Sequence, residues 1–321
     1  MGRRRRPAAH HGVLLVDKPR GPTSHDVVAR VRRHYGQPQV GHTGTLDPMA
    51  TGLMVVTLGK ATRLAQFLEA TEKTYLGTIT LGVSTTTYDA EGEVLETAPV
   101  PELTVEQVEA AARGLVGELQ QEVPAFSAVK VGGERLYAKA RRQEEVELPV
   151  RTVVIHRLEV LRVEGAEVDV EVTVSKGTYI RSLAVQLGAA LGLPAHLSAL
   201  RRTGVGPYRV ADAWPAPEPG AERPDPLPTL IPPGEAVAFL PALFADPVAA
   251  EGVAFGRQVL AGRAKGEGFH AGDPVRVVAP DGALLAVGHA TVDAAALAEA
   301  PPGEPAVRYA CVLVDTSVAE P

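Results

Sequence analysis

The chain has 321 residues, of which 45% are hydrophobic and 22% charged, proportions typical of a soluble globular protein with one large and one smaller domain. No apolar run approaches the roughly 20 residues of a membrane span, and no signal-like segment follows the basic start, so we expect neither insertion nor export. A single cysteine, Cys311, excludes an intrachain disulfide and a cysteine-based zinc cluster, which favours the cytoplasm.

The net charge of −6 argues against a protein that coats nucleic acid without specificity, but the charge is unevenly distributed. Residues 1–35 carry nine Lys and Arg against two Asp, a local charge of +7. Residues 130–142 carry five against one Glu, a charge of +4, whereas residues 91–122 carry eight Glu and one Arg. Each basic segment is compatible with a solvated helix face or with a surface that binds a polyanion.

The first half of the chain alternates apolar strands with amphipathic helices. Ser24 is suited to be the N-cap of a helix that carries Val27, Val28 and Val31 at core spacing. The pattern predicts strands at 13–16, 53–58 and 74–83, and helices after Ser24, at 61–70 and at 105–116, the last with a capping box of Thr104 and Gln107.

The second half contains a β-rich stretch, a proline-rich stretch and a final group of short strands. Eight prolines between residues 215 and 233 predict an extended linker or wrap rather than a packed element. The pattern predicts a hairpin of strands at 152–163 and 167–175, a helix at 178–191, a helix-like segment at 248–260, and strands at 274–278, 284–288 and 307–314. The last group indicates a small β-barrel-like domain.

A loop rich in glycine and threonine at 41–52 carries one acid, Asp47, directly before Pro48. Glycines allow close backbone approach to a ligand, and the proline holds the preceding residue in an extended conformation. The loop is therefore either a polar connector or a stiff platform for one carboxylate. A phosphate-binding P-loop at 52–62 is excluded by the glycine spacing and by Ala61, which stands where a Ser or Thr belongs.

Two further positions suggest a site. Tyr75 begins a predicted strand, although a strand tyrosine is more often a core residue. Arg181 lies at a predicted helix start, where a cation is unfavourable unless an anion compensates the helix dipole.

Five motifs, in this order and at these separations, resemble those of the TruB family, the bacterial tRNA pseudouridine-55 synthases: Asp17-Lys18-Pro19, Gly41-His42-Thr43-Gly44-Thr45-Leu46-Asp47-Pro48, Lys73-Thr74-Tyr75, Ser175-Lys176-Gly177-Thr178-Tyr179-Ile180-Arg181 and Leu200-Arg201-Arg202. The segment 124–130 is similar to another family segment, and the resemblance covers about residues 12–210. One departure is Thr86, where family members often carry an acid, although Asp89 is retained.

The resemblance implies an α+β fold, with a large mixed or antiparallel central sheet flanked by helices and a small C-terminal β-barrel-like PUA domain. We expect the catalytic domain at 10–240 with a basic insertion at about 124–151, the PUA-like RNA-binding domain at 247–317, and a basic tail at 1–9.

The resemblance also implies roles for individual residues. Asp47 would be the catalytic carboxylate, Arg181 its charge partner, and Tyr75 the residue that stacks on the target base and is a candidate for proton removal. His42 would fill the stack that the flipped base leaves. Other expected substrate-binding residues are Lys18 and Pro19, which would support the loop, and Tyr179 and Leu200, which would line the pocket.

The basic insertion would contact RNA phosphates through Lys130, Arg135, Lys139, Arg141 and Arg142. The expected substrate is the T-arm stem-loop of tRNA, acted on by a monomer with no cofactor, metal, membrane or obligate protein partner. Attack by Asp47 on C6 of the base, attack on C1′ of the sugar, and assistance of glycal formation all stay open. So do a non-catalytic RNA-binding protein and a related synthase that acts on ribosomal RNA within a protein complex.

Overall fold

The computed structural model describes residues 8–127, 129–136, 139, 142, 144, 147–301 and 303–314, with the backbone alone for Lys130 and Arg135. Residues 1–7 of the predicted tail lie outside the described residues. The helices are α1 (Ser24–His34), α2 (Ala65–Glu69), α3 (Val105–Arg113), α4 (Ile180–Ala190), α5 (Pro233–Ala236) and α6 (Pro247–Ala254). The strands are β1 (Gly12–Lys18), β2 (Val40–His42), β3 (Thr51–Leu58), β4 (Lys73–Leu81), β5 (Val83–Thr85), β6 (Val94–Thr97), β7 (Gly117–Glu122), β8 (Lys130–Val131), β9 (Glu134–Arg135), β10 (Val150–Glu164), β11 (Glu167–Val174), β12 (Ala195–Val205), β13 (Tyr208–Arg209), β14 (Trp214–Pro215), β15 (Ala242–Ala245), β16 (Ala264–Gly266), β17 (Pro274–Val278), β18 (Leu284–Ala290) and β19 (Val307–Val312).

The larger sheet has the strand order β14-β1-β3-β12-β4-β11-β10-β7, with β2 paired to β3 and β13 to β12. Pairing is antiparallel except between β1 and β14 and between β3 and β12, so the sheet is mixed. Helices α1, α3 and α4 bury Val31, Val108 and Leu187 in the core that covers this sheet. The predicted α+β class with a mixed sheet flanked by helices is confirmed.

The start of α1 differs from the prediction by one residue. Thr23, not Ser24, is the N-cap, because Thr23 and Asp26 form a reciprocal capping box. Ser24 is buried, and its hydroxyl is used elsewhere, in the anchoring of the loop at 41–52.

The helix predicted at 61–70 is instead a 3-10 turn over Gly59–Leu64 followed by the short α2. The Thr62 hydroxyl donates to the Gly59 carbonyl oxygen at 2.7 Å and so competes with the regular helical pattern. Strand β12, at the centre of the sheet, was not predicted. Its register shifts between Leu197 and Ala199, which breaks the alternation of side chains that marks a strand in sequence.

A second sheet with the order β16-β15-β17-β18-β19 forms the C-terminal part of the chain. Strands β17, β18 and β19 match the predicted strands, whereas the short β15 and β16 were missed. Helix α6 ends at Ala254, not at 260, because Gly256 takes a positive φ of 75° and its N–H bonds the Val253 carbonyl.

The proline-rich stretch wraps around the larger sheet. Ile231 exchanges two backbone hydrogen bonds with Val13 of β1, and the Tyr35 hydroxyl donates to the Pro228 carbonyl. This placement agrees with the predicted extended wrap.

The two sheets share one apolar cluster, in which Val13 and Leu53 pack with Val287 and Leu313. Arg63 adds a hydrogen bond from Nη1 to the Val312 carbonyl. The domain boundaries themselves stay a prediction. None of the helices described is both long enough and apolar enough to cross a membrane.

Candidate active site

The loop at 41–52 is held rigidly from behind by Lys18 and Ser24. The fully buried Lys18 ammonium donates to the carbonyl oxygens of Pro19, Pro48 and Ala50, at 3.1, 3.2 and 2.6 Å. The Ser24 hydroxyl donates to the Leu46 carbonyl at 3.0 Å and accepts from the Leu46 N–H at 2.8 Å. These contacts are on both sides of Asp47, so the position of its backbone is fixed. The substrate-binding role of Lys18 stays a prediction.

Arg202 holds the loop from the sheet side. Its guanidinium is 1% exposed and donates from Nε to the Leu53 carbonyl and from Nη2 to the Gly44 carbonyl, at 2.6 and 3.2 Å. Strand β12 passes so close to Gly52 that a Cβ there would lie 2.3 Å from the Arg202 carbonyl oxygen. Gly52 also has a φ of +102°, which side chains rarely adopt.

We expect Gly52→Ala to destabilise the fold by about 2–4 kcal/mol, because the methyl group collides with backbone and the φ is strained. Gly21→Ala is the matched control, since Gly21 has a similar φ of +109° but no atom within 4 Å of the place that a methyl group would take. Urea unfolding of both variants measures the difference. Equal losses in the two variants would mean that conformation alone, not the close approach to Arg202, requires glycine at 52.

Arg181 brings two carboxylates together. Its Nε lies 3.0 Å from Asp47 Oδ2, and its Nη1 lies 3.5 Å from Asp89 Oδ2. The Arg181 and Asp89 side chains are 5% and 6% exposed, whereas that of Asp47 is 37% exposed. The Nε–H is not aligned with an acceptor, so the contact with Asp47 is an ion pair rather than a hydrogen bond. A buried cation thus faces one accessible carboxylate and one buried carboxylate.

The rest of the Arg181 guanidinium is satisfied by backbone. Nη1 donates to the Thr87 carbonyl at 2.8 Å and Nη2 to the Phe126 carbonyl at 3.0 Å. Arg181 is in the first turn of α4, and the two aspartates supply the compensating negative charge that its sequence position required. Asp89 was missed as a partner, although the retained acid beside the Thr85–Thr87 departure was a signal for it. The Thr87 hydroxyl donates to Asp89 Oδ1 at 2.5 Å and orients it.

A pocket of about 410 Å³ opens in front of Asp47. Its lining includes the predicted residues Asp47, Tyr75, Tyr179, Arg181 and Leu200. Tyr75 and Leu200 are 6% and 9% exposed, on the neighbouring strands β4 and β12. Sequence positions that span about half the chain therefore meet around one cavity.

Four cationic side chains in this pocket received no role from the sequence: Lys73, Arg151, Lys176 and Arg202. Lys73 donates to the carbonyls of Glu69 and Thr71, at 2.8 and 3.0 Å. Burial, together with the charge of Arg202, lowers the pKa of Lys73 to about 8. Lys73 and Arg202 stand inside the quoted motifs, which was the available signal for them.

Burial also lowers the pKa of Lys18 from 10.5 to about 8, although the charge of Asp47 opposes this shift. Between pH 8 and 10.5 Lys18 is protonated in the unfolded chain but not in the folded chain. The contribution of Lys18 to the free energy of unfolding therefore rises with pH across that window. We expect Lys18→Met to reduce this rise, by at most about 1.4 kcal/mol per pH unit. Urea unfolding from pH 8 to 10 measures the slopes, and parallel slopes for wild type and variant would contradict the shift.

His42 lies at the end of β2, and the pocket lining does not include it. Its ring packs edge-to-face on His25, with centroids 5.6 Å apart. Burial, with the nearby His25 and Arg202, lowers the pKa of His42, so the imidazole is neutral at pH 7. Pro19 also lies outside the lining, and its carbonyl accepts from Lys18.

The basic insertion is described only in part. Arg142 forms ion pairs with Glu134 and Glu144, at 2.8 and 2.6 Å. Arg141 and the side chains of Lys130 and Arg135 lie outside the described residues. Lys139 is described, and the pocket lining does not include it or Arg142. Phosphate binding by the five basic residues stays a prediction.

Within the described ranges, no group of three or more His, Cys, Asp or Glu side chains could hold a metal ion. The expectation that the reaction needs no metal or cofactor stays a prediction.

Comparison with known proteins agrees with this geometry. The profile of the TruB family pseudouridylate synthase (N terminal domain) matches residues 32–180, and that of the PUA domain matches residues 241–313. A tRNA pseudouridine synthase B from Thermobifida fusca (strain YX) is 51% identical over 284 residues, which cover 86% of this chain and 93% of that protein. The protein of the same name from Arthrobacter sp. (strain FB24) is 47% identical and covers 86% of this chain and 92% of its own.

Two solved structures share the fold over almost the whole chain. A chain of a Cbf5-Nop10-Gar1 complex has a TM-score of 0.73 and 29% identity, covering 95% of this chain and 86% of that one. A chain of an H/ACA RNP bound to a substrate RNA containing 2′-deoxyuridine has a TM-score of 0.71 and 27% identity, covering 96% and 86%. Fold and site thus define a pseudouridine synthase. Within that class, the chain belongs to the TruB family.

Proposed function

We propose that the protein converts uridine 55 in the T-arm loop of tRNA to pseudouridine. The observation that carries the proposal is the accessible carboxylate of Asp47, held against the buried Arg181 guanidinium at the mouth of a pocket lined by Tyr75 and Tyr179. A protein that only bound RNA would have no use for an ion pair in such a pocket. The high identity to relatives named tRNA pseudouridine synthase B supports tRNA as the substrate class.

In this reaction the N1–C1′ bond breaks, the base rotates, a C5–C1′ bond forms, and the proton on C5 leaves while N1 gains one. We assign to Asp47 the covalent or electrostatic assistance of bond cleavage, and to Arg181 the task of orienting that carboxylate by their ion pair. Tyr75 stacks on the base, and its phenol oxygen takes up the C5 proton as it releases its own hydroxyl proton to solvent. Tyr179 and Leu200 line the pocket and limit the access of water.

A base inside a folded RNA loop must be flipped out before reaction, with a loss of a few kcal/mol of stacking. We assign to His42 the filling of the vacated stack, since its imidazole is neutral and part of a rigid strand end. The predicted basic residues of the insertion (Lys130, Arg135, Lys139, Arg141 and Arg142) and the PUA domain would contact RNA outside the pocket.

We expect His42→Ala to lower kcat/KM about tenfold, the value of one lost stacking contact of about 1–3 kcal/mol. His42→Phe should retain most activity, because a flat aromatic ring can occupy the same stack. Single-turnover kinetics on a T-arm stem-loop measures both variants. A loss in His42→Ala as complete as that in Asp47→Asn would indicate a chemical role for the imidazole instead.

The direct test is incubation of the purified chain alone with an unmodified tRNA transcript, followed by mapping of pseudouridine at each position. We expect product at position 55, and none in a transcript that carries cytidine there. Absence of product would favour the RNA-binding alternative, and a requirement for added proteins would favour a complex-dependent synthase. We propose a monomer that acts in the cytoplasm without an obligate protein partner.

A further inference from the structure

A second cavity adjoins the catalytic pocket. It has a volume of about 410 Å³ and shares Glu69, Arg151, Lys176 and Gly177 with the pocket lining. The two cavities therefore form one groove that leads away from Asp47, past the turn between β11 and α4. We call this second cavity the exit groove.

The cations that line the catalytic pocket and the exit groove differ in what they bind. Lys73, Arg181 and Arg202 are engaged by backbone carbonyls, and Arg181 also by carboxylates. The side chains of Arg151 and Lys176, in contrast, make no hydrogen bond or ion pair with any residue that the structure describes. They are exposed at the junction of the two cavities, so their charges are available to a ligand.

The backbone places these two side chains together. Arg151 is near the start of β10, and Lys176 is in the turn that precedes the Tyr179 N-cap of α4. Gly177 takes a φ of +83°, and a Cβ there would lie 4.0 Å from Arg151 Nη1. The turn that carries Lys176 thus passes next to the Arg151 guanidinium.

Like charges accumulate at this point. The charges of Arg202 and Lys176 add to burial in lowering the pKa of Lys73, while Glu69 opposes them in part. The linings of the two cavities together contain five cations and two carboxylates, Asp47 and Glu69, which leaves a net charge of +3. Such an arrangement repels itself when empty and is stabilised by an anion.

We propose that Arg151 and Lys176 together bind a phosphodiester group next to the target nucleotide, so that the RNA backbone leaves the pocket through the exit groove. This inference rests on the proposed function. The two residues hold the RNA backbone beside the pocket and contact none of the reacting atoms. The contact is the same before and during reaction, so its loss affects KM more than kcat.

The test compares Arg151→Gln and Lys176→Gln with Arg113→Gln, an exposed arginine on α3 that lines neither cavity. We expect each of the first two variants to raise KM about five- to tenfold with kcat within about twofold of wild type. Each should also reduce the slope of log affinity against log salt by no more than about 0.7–0.9, the value for one phosphate contact, because the two cations share one phosphate. Lys176→Arg should restore both quantities, and Arg113→Gln should change neither.

Replacement of one phosphodiester by a neutral linkage identifies the phosphate that Arg151 and Lys176 bind. T-arm stem-loops with one methylphosphonate, placed on the 5′ or the 3′ side of the target uridine, are assayed with wild type and Arg151→Gln. At one of the two positions the neutral linkage should raise the wild-type KM and abolish the difference between wild type and variant. The inference is overturned if the methylphosphonate and Arg151→Gln raise KM independently at both positions, so that their effects multiply. It is also overturned if the variants behave like Arg113→Gln. Failure of the wild-type chain on the unmodified stem-loop would instead refute the proposed function.

Discussion

Asp47→Asn is expected to abolish pseudouridine formation, with a loss of roughly 10³-fold or more in single-turnover rate, because an amide supplies neither the negative charge nor the nucleophilic oxygen. Affinity for a T-arm stem-loop should stay within about threefold, since the residue is one of many in the pocket lining. Rapid-quench kinetics with a tritium-release or mass readout measures the rate, and fluorescence anisotropy measures binding.

Asp89→Asn is the informative control for this variant, because Asp89 shares the same arginine but is 6% exposed at its side chain. It should lower activity less than Asp47→Asn and lower stability more. Near-wild-type turnover by Asp47→Asn would refute the assignment of the catalytic carboxylate.

Arg181→Met is expected to destabilise the fold by about 3–5 kcal/mol, the usual result of removing one partner from a buried ion pair. It should also lower activity at least ~10²-fold, because Asp47 loses the cation that orients its carboxylate. Urea unfolding and single-turnover kinetics measure the two effects. In the double variant Arg181→Met with Asp89→Asn, about 1–2 kcal/mol of stability should return without activity, because one buried charge is no longer unpaired.

Arg201→Met tests whether burial of an ion pair, rather than the distance between its charges, sets the loss of stability when one partner is removed. Arg201 and Asp17 are closer, at 2.7 Å, than Arg181 and Asp47, at 3.0 Å, but their side chains are 41% and 31% exposed. An exposed pair contributes about 0–1 kcal/mol, so Arg201→Met should destabilise little. A larger loss of stability in Arg201→Met than in Arg181→Met would contradict the electrostatic account.

The sequence correctly predicted those elements whose structure is determined within one segment. The capping box of Thr104 and Gln107 and the hairpin around Glu164 are both present, because their hydrogen bonds lie within a few residues. Strand β12 escaped prediction since its irregular register appears only when β3 and β4 are in place beside it.

The site was predictable to the extent that motifs carried it. Asp47, Tyr75 and Arg181 stand in quoted motifs, and they meet in one pocket. Asp89 and Arg151 stand outside these motifs. That Asp89 lies beside Arg181 and that Arg151 lines the pocket depends on how β5, β10 and α4 are arranged in three dimensions. Burial of Lys18 and Lys73 was likewise invisible, because a lysine near a strand end reads in sequence as a surface residue.

The anchoring of the loop at 41–52 also has a consequence for folding. Arg202 and Gly44 are separated by 158 positions, and Ser24 and Leu46 by 22. Contacts of such high sequence separation form late, after the loss of chain entropy has been overcome. Because Arg202 belongs to β12, a nascent chain cannot complete the anchoring of the loop at 41–52 until β12 has been synthesised.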